Sequence, residues 1–554
     1  MRELSKLCAA LPLLLILLVI LFFVGYATAS IIIDLGLGFP RYNGIFKYEF
    51  RVSVEGDTHV KITYSSSLRR GSSWVLVPRF ISWVNRTLHG RLLGWTIEEP
   101  EKYTGSHYYF YQALVFSFVS DNVGFEIIIE YDFPLAAMVI ELESTHGIFY
   151  SPQIGFEENN LFEAVVAFPE KFRARVNETI AIGKHDLYRA DEGSNSSHII
   201  FKNIPPSDNL LRIQIGFDST RSAADTVTLK NGLFEFTTVT RYESQAKKIM
   251  DLYNVTYNAL ANIFNVTLDH VKVRFFIPDF YTLMLIGGYI PFKGGNLGDI
   301  YINLVYTRYV EGYLEVVALH EIIHHFIWKA GVSPEKLLWF HEGIAQFISI
   351  EIAEGMGYRG AGMIKEEISE TIRKLDLSAE SNFKFLTEWT PYHMPKETVI
   401  LYTSAYYIIS ELAKEYGGLE YYTRFFTLIK DVNLESNAML CHYLSLAANR
   451  SVFDKFNSWG FNLPEIYTHW PLILEVRGAI NNISPVNPFL QPFRKIAELF
   501  YWAVISGEAP QSIAEPLLLA ALFIARNASL IALVTYLCIL FLIIFLLALG
   551  SRRK

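Results

Sequence analysis

The chain has 554 residues, which is enough for two or three domains that each bury a core. Its formal net charge of −8 excludes an overall basic protein and gives no sign of nucleic-acid binding. Hydrophobic residues make up 51% of the chain, a high share for a soluble protein, and two apolar ends account for part of it.

The N-terminal segment has the features of an export signal. Arg2 and Lys6 precede an apolar run from Leu7 to Val24, and Ala27-Thr28-Ala29 matches the small-residue pattern of a cleavage site. The apolar run is long for a signal peptide. Residues 1–30 are therefore predicted to be a cleaved signal peptide or a retained signal anchor.

Residues 31–240 follow the two-residue period of β-strands. Apolar and polar side chains alternate from Phe46 to Val54, and the alternation resumes at residues 60–64 after the turn Glu55-Gly56-Asp57. Phe125–Tyr131 and Leu211–Phe217 show the same pattern. We expect an N-terminal antiparallel β domain with one buried face per sheet.

The period becomes helical near Arg241, and a metal-binding pattern follows at His320-Glu321-Ile322-Ile323-His324. Residues i and i+4 of a helix share a face, so His320 and His324 can direct two imidazoles at one point. A catalytic zinc needs three protein ligands and an open position. Glu321 would lie beside the two histidines, placed to take a proton from water.

A second helix is predicted directly after the motif helix. Gly331 is a typical helix stop, Ser333 an N-cap and Pro334 a first-turn proline, with Glu335 at the positive end of the new helix. Glu342 falls about two turns into this helix. From there its carboxylate can complete a zinc site.

His320–His324 and Trp339–Ala345 resemble the gluzincin metallopeptidases, most closely the aminopeptidase-N-like family, whose pattern is H-E-x-x-H followed by W-x-x-E-G-x-A. Residues 325–341, which are 17 in number, separate His324 from Glu342, where the family usually has 18. Val271–Phe280 (V-K-V-R-F-F-I-P-D-F) is also similar to the strand that precedes the family's active-site helix.

The resemblance implies a thermolysin-like catalytic domain with one zinc ion per chain, bound by His320, His324 and Glu342, and with Glu321 as general base. It also implies that Tyr402, where the family has a tyrosine opening a helix, donates a hydrogen bond to the oxyanion. Tyr406 and Tyr407 belong to the same helical cluster, in which core packing is the alternative role.

The resemblance also suggests where substrate binds. In such enzymes an edge strand before the zinc helix pairs with extended substrate backbone, and Asp299–Leu304 is expected to be that strand. Asp299 and Tyr301 are the candidate substrate-binding side chains there. Gly294 and Gly295 precede the strand and would let the peptide approach closely.

One feature of the family is missing. Its exopeptidases carry a G-x-M-E-N segment whose glutamate holds the free amine of the substrate, but the corresponding interval here, Gly287–Gly295, contains no acidic residue. Asp299 is the available substitute. We therefore expect a peptidase that does not require a free amine, with an aminopeptidase using a different amine anchor as the alternative.

Two further histidines adjoin the motif residues. His325 and His341 each follow or precede a predicted ligand by one residue, so they point roughly 100° away from it around the helix. We expect both side chains either to contact and orient the predicted ligands or to pack in the core.

The rest of the chain leads to a membrane-spanning segment. Successive amphipathic helices, including Thr398–Tyr416 and Leu419–Lys430, complete the catalytic domain, and a proline-rich, packed connector follows. Within it, Pro516–Ala525 is apolar but too short to span a bilayer, and is expected to be interfacial. Leu530–Leu549 is a run of 20 uncharged residues, long enough to span.

The charges at both ends set the topology. Arg552, Arg553 and Lys554 follow the apolar run, and the positive-inside rule keeps them cytoplasmic.

Cys441 has no cysteine partner between the two apolar ends, so an intrachain disulfide is not expected there. Candidate glycosylation sequons, consistent with export, begin at Asn85, Asn177, Asn195, Asn254, Asn265, Asn449, Asn482 and Asn527.

The sequence thus predicts an α+β multidomain protein. Its predicted parts are a β-rich domain at 31–240, a mainly helical zinc peptidase domain at 241–465, a connector at 466–528, a transmembrane helix at 529–550 and a cytoplasmic tail at 551–554. The predicted function is a membrane-anchored, extracytoplasmic zinc peptidase that acts on peptides or proteins. A catalytically silent, peptidase-like binding protein is an alternative. An intramembrane protease is disfavoured by the charged residues of the motif helix.

Overall fold

The structure, a computed structural model, describes residues 42–551 apart from 107, 143, 221–224, 281–282, 284–285, 294–295, 309, 464–468 and 507–508. The predicted leader at 1–30, the candidate substrate residues Gly294 and Gly295, the predicted boundary near 465 and the basic residues 552–554 lie outside the described residues. The chain divides into two compact units. The first contains residues up to 137 and 148–220, and the second contains 138–147 and residues from 221 onward.

The first unit is built from β-strands whose side chains alternate between a buried and an exposed face. The strands are β1 (Ile45–Val52), β2 (Thr58–Ser66), β3 (Arg70–Pro78), β4 (Trp83–His89), β5 (Arg91–Glu98), β6 (Tyr111–Val119), β7 (Phe125–Phe133), β8 (Ala137–Val139), β9 (His146–Tyr150), β10 (Ile154–Gly155), β11 (Leu161–Ala167), β12 (Phe172–Ile182), β13 (Leu187–Arg189), β14 (His198–Phe201) and β15 (Leu210–Ser219). The unit boundaries fall within β8 and β9, whose residues 138–139 and 146–147 belong to the second unit. A short helix, α1 (Glu101–Thr104), follows β5.

These strands form sheets in the orders β14-β11-β1-β2-β7-β4 and β3-β6-β5, with a third sheet that contains β13-β12-β15-β9. The predicted alternation is confirmed for residues 46–52, since Phe46, Tyr48 and Phe50 are buried and Lys47 and Arg51 are exposed, whereas Val54 lies beyond β1 and is exposed. Neighbouring strands are mostly antiparallel, but β1 pairs with β11 in parallel. The alternation of side chains sets the buried face of a strand and leaves the direction of its partner open.

The second unit opens with a sheet in the order β16-β17-β18-β22-β19. Its strands are β16 (Thr226–Asn231), β17 (Phe234–Val239), β18 (Val271–Phe276), β19 (Gly288–Tyr289) and β22 (Ile300–Asn303), and β20 (Phe292–Lys293) pairs with β21 (Asn296–Leu297) in a separate antiparallel sheet. The sequence grouped β16 and β17 with the N-terminal domain. Because β17 pairs with β18, the two strands belong to the second unit.

The expected position of the edge strand is corrected by this sheet. The strand predicted at Asp299–Leu304 forms as β22, but β18 pairs with one side of it and β19 with the other. Among the described residues, the edge strand on that side of the sheet is therefore β19, and β16 is the edge strand on the other side. A two-residue strand is too short to show a periodicity, so β19 was not predicted.

Helices make up the remainder of the second unit. They are α2 (Glu243–Phe264), α3 (Tyr313–Lys329), α4 (Pro334–Gly355), α5 (Arg359–Lys374), α6 (Thr398–Tyr416), α7 (Leu419–Leu428), α8 (Asn437–Ala448), α9 (Phe453–Ser458), α10 (Trp470–Asn481), α11 (Gln491–Ile505), α12 (Ala514–Arg526) and α13 (Ala528–Ser551). The predicted helix at Thr398–Tyr416 is confirmed as α6. In α13, residues Ala528–Leu546 are long and apolar enough to cross a membrane, by length and composition.

Candidate metal centre

The first two candidate ligands lie on α3, which is buried along most of its length. Glu315 caps the start of the helix by accepting a hydrogen bond from the Gly312 amide at 2.7 Å. Tyr253 of α2 donates its hydroxyl to the Ala318 carbonyl at 2.9 Å, which fixes the helix from behind. His320 and His324 therefore project from one face, with ring centroids 4.8 Å apart.

The third candidate ligand is brought back by a tight turn and a break in the next helix. Gly331 takes a left-handed conformation with φ 91°, and Pro334 begins α4 as predicted, although the Ser333 side chain makes no cap hydrogen bond. At Leu337 the backbone leaves helical geometry, with φ −135° and ψ 43°. The helix resumes its regular course after this break, and Glu342 then faces the two histidines.

The three side chains converge on one point. The Oε2 atom of Glu342 lies 3.1 Å from Nε2 of His320 and 3.6 Å from Nε2 of His324. All three ligand atoms lie within 4.8 Å of one another, and the side chains are only 11–13% exposed. Ligands of a tetrahedral zinc at 2.0–2.1 Å stand about 3.3 Å apart, and the distances of 3.1 and 3.6 Å from the Glu342 carboxylate to the two histidines match that spacing.

Burial and charge act in opposite directions on this group. Burial by itself would raise the pKa of Glu342, but the charges of His324 and His320 and their hydrogen bonds lower it well below its ordinary value. Burial would lower the pKa of His324, but the Glu342 carboxylate raises it. The carboxylate is therefore held in its ionised form, which is the form that binds a metal.

Glu321 lies beside the three candidate ligands. Its residue surface is 5% exposed, and burial raises the pKa of its carboxyl group. Gly288 of β19 packs directly against it, since a Cβ atom added to this glycine would stand 2.6 Å from the Glu321 carboxyl carbon. A side chain at position 288 would displace Glu321, so the edge strand and the candidate base share one confined space.

His341 contacts the candidate ligand His324 and is not itself one of the three candidate ligands. Its Nε2 lies 2.9 Å from the Val332 carbonyl and its Nδ1 lies 3.4 Å from Nδ1 of His324. Burial lowers the pKa of His341 to about 3, so the ring is neutral and carries one proton. When that proton is donated to Val332, Nδ1 accepts from His324, which leaves Nε2 of His324 free to bind a metal.

Tyr402 reaches the same site from α6. Gly343 allows this helix to approach, because a Cβ atom there would stand 2.8 Å from the Ala405 carbonyl. Trp389 contacts the Tyr402 ring at 5.1 Å. Partial burial first, with the residue still 36% exposed, and then the charges of Glu342 and Glu321 raise the pKa of Tyr402 well above its ordinary value. The Tyr406 ring instead lies 6.4 Å from Phe347.

The candidate substrate residues are engaged with neighbours in the sheet. Asp299 forms an ion pair with Arg274, with Oδ2 3.4 Å from Nε. The Tyr301 ring stacks on Tyr289 of β19 at 4.7 Å. Gly288, Val332 and Arg274 are contributors that the sequence analysis missed. The glycine pair Gly287-Gly288 was the available signal, whereas the Val332 carbonyl and the Arg274 pairing depend on tertiary contact.

No protein-family model and no curated protein matches the sequence. The chain is similar to solved structures that include an M1 zinc metallopeptidase from Deinococcus radiodurans, at 14% identity and a TM-score of 0.29, covering 76% of this chain and 94% of that one. It is also similar to native yeast LTA4 hydrolase, at 10% identity and a TM-score of 0.30, covering 87% of this chain and 82% of that one. At these values the assignment of chemistry rests on the geometry of the site.

Replacement of Glu342 by alanine is expected to reduce bound zinc well below one equivalent, because only two imidazoles would remain. Metal content of the purified protein measures this. Glu354→Ala is the matched control, since Glu354 lies on the same helix in an exposed ion pair with Lys365. Full zinc occupancy in Glu342→Ala would contradict the site.

The contact from His341 to His324 predicts a graded effect on zinc affinity. His341→Leu removes the acceptor and is expected to weaken zinc binding by about 10–100-fold. His341→Asn, of similar size, places an amide oxygen near the former Nδ1 position and should retain most of the affinity. Chelator competition measures both variants, and equal zinc affinity of the leucine variant and the wild type would contradict the role.

Proposed function

We propose that this chain is a membrane-anchored zinc peptidase that hydrolyses peptide bonds outside the cytoplasm. The observation that carries the proposal is the convergence of His320, His324 and Glu342 at a spacing that fits zinc, with Glu321 buried beside them. Tyr402 adds a hydrogen-bond donor to the same site. Each of these residues has a role in peptide hydrolysis.

His320, His324 and Glu342 would hold one zinc ion per chain, which when bound would polarise the scissile carbonyl and activate a water molecule. Glu321 accepts the proton of the attacking water and passes it to the leaving amine. Its raised pKa suits both tasks, because a more basic carboxylate takes the proton more readily. Tyr402, kept protonated by its raised pKa, donates to the oxyanion, a contribution of about 3 kcal/mol.

The edge strand β19 is the candidate path for the substrate. Gly288 lies against Glu321, so a peptide added to the edge that β19 forms among the described residues would pass next to the base. Such strand addition uses main-chain hydrogen bonds and accepts many side chains. Tyr289 and Tyr301, which stack on each other, then stand at the border of this path. Gly294 and Gly295 remain candidate substrate contacts.

The cleft is proposed to accept peptides without a free amine. An aminopeptidase must offer an anionic group to the substrate ammonium, because a buried unpaired ammonium is costly. No glutamate occupies Gly287–Gly295, and Asp299, the nearest substitute in sequence, already pairs with Arg274. This partner weakens Asp299 as an amine anchor. Aminopeptidase activity through another carboxylate is the alternative.

The membrane assignment rests on α13 and on the charges around it. Ala528–Leu546 is apolar and 19 residues long, and the sequence continues to Arg552, Arg553 and Lys554. With these basic residues in the cytoplasm, the catalytic unit lies outside it. An extracytoplasmic location also suits the sequons found from Asn85 to Asn449, which make the protein a candidate glycoprotein.

The variant Glu321→Gln tests the proton-transfer role. We expect hydrolysis to fall by at least about 100-fold, because general base catalysis typically contributes 10²–10⁴. Zinc content and thermal stability should stay close to those of the wild type, since the amide has the same shape. The control is Glu335→Gln in the first turn of α4, which should retain activity. Near-normal turnover by Glu321→Gln with zinc bound would show that another group is the base.

Peptides of one sequence, with free and acetylated N-termini, test the specificity. Both forms are expected to be cleaved at internal bonds at comparable rates, with products identified by mass spectrometry. The variant Asp299→Asn should cleave both peptides at rates within about twofold of the wild type. The reason is that the Asp299 carboxylate pairs with Arg274 and is therefore not expected to bind the substrate amine. If acetylated peptides resist while free-amine peptides lose one residue at a time, the enzyme is an aminopeptidase. Loss of that trimming in Asp299→Asn would then identify its amine anchor.

A further inference from the structure

The loop between α10 and α11, residues 482–490, exposes large apolar side chains. Val486 is 87% exposed and Phe489 is 64% exposed. No charged residue occurs between Arg477 and Arg494, so the whole segment around the loop is uncharged. Exposed apolar side chains in an uncharged segment indicate a surface that is covered by something other than water.

The same loop packs against α13. Tyr536 donates its hydroxyl to the Phe489 carbonyl at 3.2 Å, and the two rings contact each other with centroids 5.6 Å apart. Phe493, at the start of α11, contacts the same tyrosine at 6.4 Å. Tyr536 lies eight residues after Ala528, so the loop contacts α13 about 12 Å along from its first residue.

The length of α13 places this contact below the membrane surface. A hydrocarbon core of about 30 Å needs about 20 apolar residues, and Leu530–Leu549 supplies 20. Tyr536 then lies about 9 Å inside the core. If the bilayer began after Tyr536, residues 537–549 would cover only about 20 Å, which is too short. Phe489, in contact with Tyr536, must therefore lie at membrane depth.

The neighbouring helices have exposed apolar side chains as well. Leu499 of α11 is 65% exposed, and Phe523 of α12 is 63% exposed only five residues before α13 begins. Arg526, at the end of α12, forms an ion pair with Glu475 of α10, so the last charge before the span is neutralised. This arrangement is typical of a protein surface that rests on the headgroups.

We propose that the 482–490 loop inserts into the lipid leaflet on the catalytic side, beside α13, with the acyl chains covering Val486 and Phe489. This inference rests on the proposed membrane anchoring. The second unit then contacts the bilayer at two places, the spanning helix and the loop. Two contacts restrict rotation about the Asn527 junction and hold the helices at a fixed height above the membrane.

Spin-label accessibility in the full chain tests the insertion. Cys8 and Cys538 are replaced by alanine, Cys441 being buried, and the protein is reconstituted in phosphatidylcholine nanodiscs. A label at Val486→Cys is compared with one at Leu533→Cys on α13 and one at Val255→Cys on α2, whose native side chains are 59% and 67% exposed. We expect the labels at 486 and 533 to collide with oxygen dissolved in the lipid and to be shielded from a water-soluble nickel chelate. The label at 255 should be accessible to the nickel chelate and should collide less with oxygen. Zinc content and peptide hydrolysis of each labelled protein report its folding.

The other outcomes are distinct. If 533 is in lipid while 486 is open to the nickel chelate, the insertion is wrong and the anchor stands. If 486 is shielded from both reagents, the loop contacts protein, such as a second copy of the chain, and the insertion is again wrong. If 533 itself is open to the nickel chelate, the proposed anchor fails and the insertion fails with it. None of these results would alter the zinc site.

Discussion

The second unit depends on one electrostatic constraint, the placement of the Glu342 carboxylate between two imidazoles in a buried site. A buried carboxylate without partners costs several kcal/mol, and loss of one partner of such a group typically costs about 3–5 kcal/mol. His320 and His324 supply the compensating contacts at 3.1 and 3.6 Å. The break in α4, the tight turn before it and the burial of α3 together hold these three side chains in contact.

Close backbone approaches bring the other candidate site residues next to this carboxylate. At Gly343 the absence of a side chain lets α6 come near enough for Tyr402 to reach Glu342. Gly288 does the same for the edge strand and Glu321. His341, neutral because it is buried, selects the tautomer of His324. The candidate ligands, base, hydrogen-bond donor and substrate edge therefore lie together because small residues and one buried histidine allow it.

Local patterns predicted the parts of the molecule that local physics determines. The i, i+4 histidines, the stop at Gly331 and the proline at 334 anticipated both helices and the return of Glu342, because helix geometry and capping depend on neighbouring residues. The alternation from residue 46 likewise anticipated β1. The break at Leu337 and the Asp299–Arg274 pair were not predicted. Both depend on packing between segments distant in sequence, as do the two-residue strand β19 and the contact of the 482–490 loop with α13.

X-ray absorption at the zinc edge of the purified full chain tests the central claim most directly. The account predicts one zinc ion with two imidazole nitrogens and one carboxylate oxygen at about 2.0–2.2 Å, and a further light-atom ligand from solvent. A protein that is folded but holds no zinc would contradict it. So would a zinc shell with a single imidazole, since His320 and His324 both direct Nε2 at the same point.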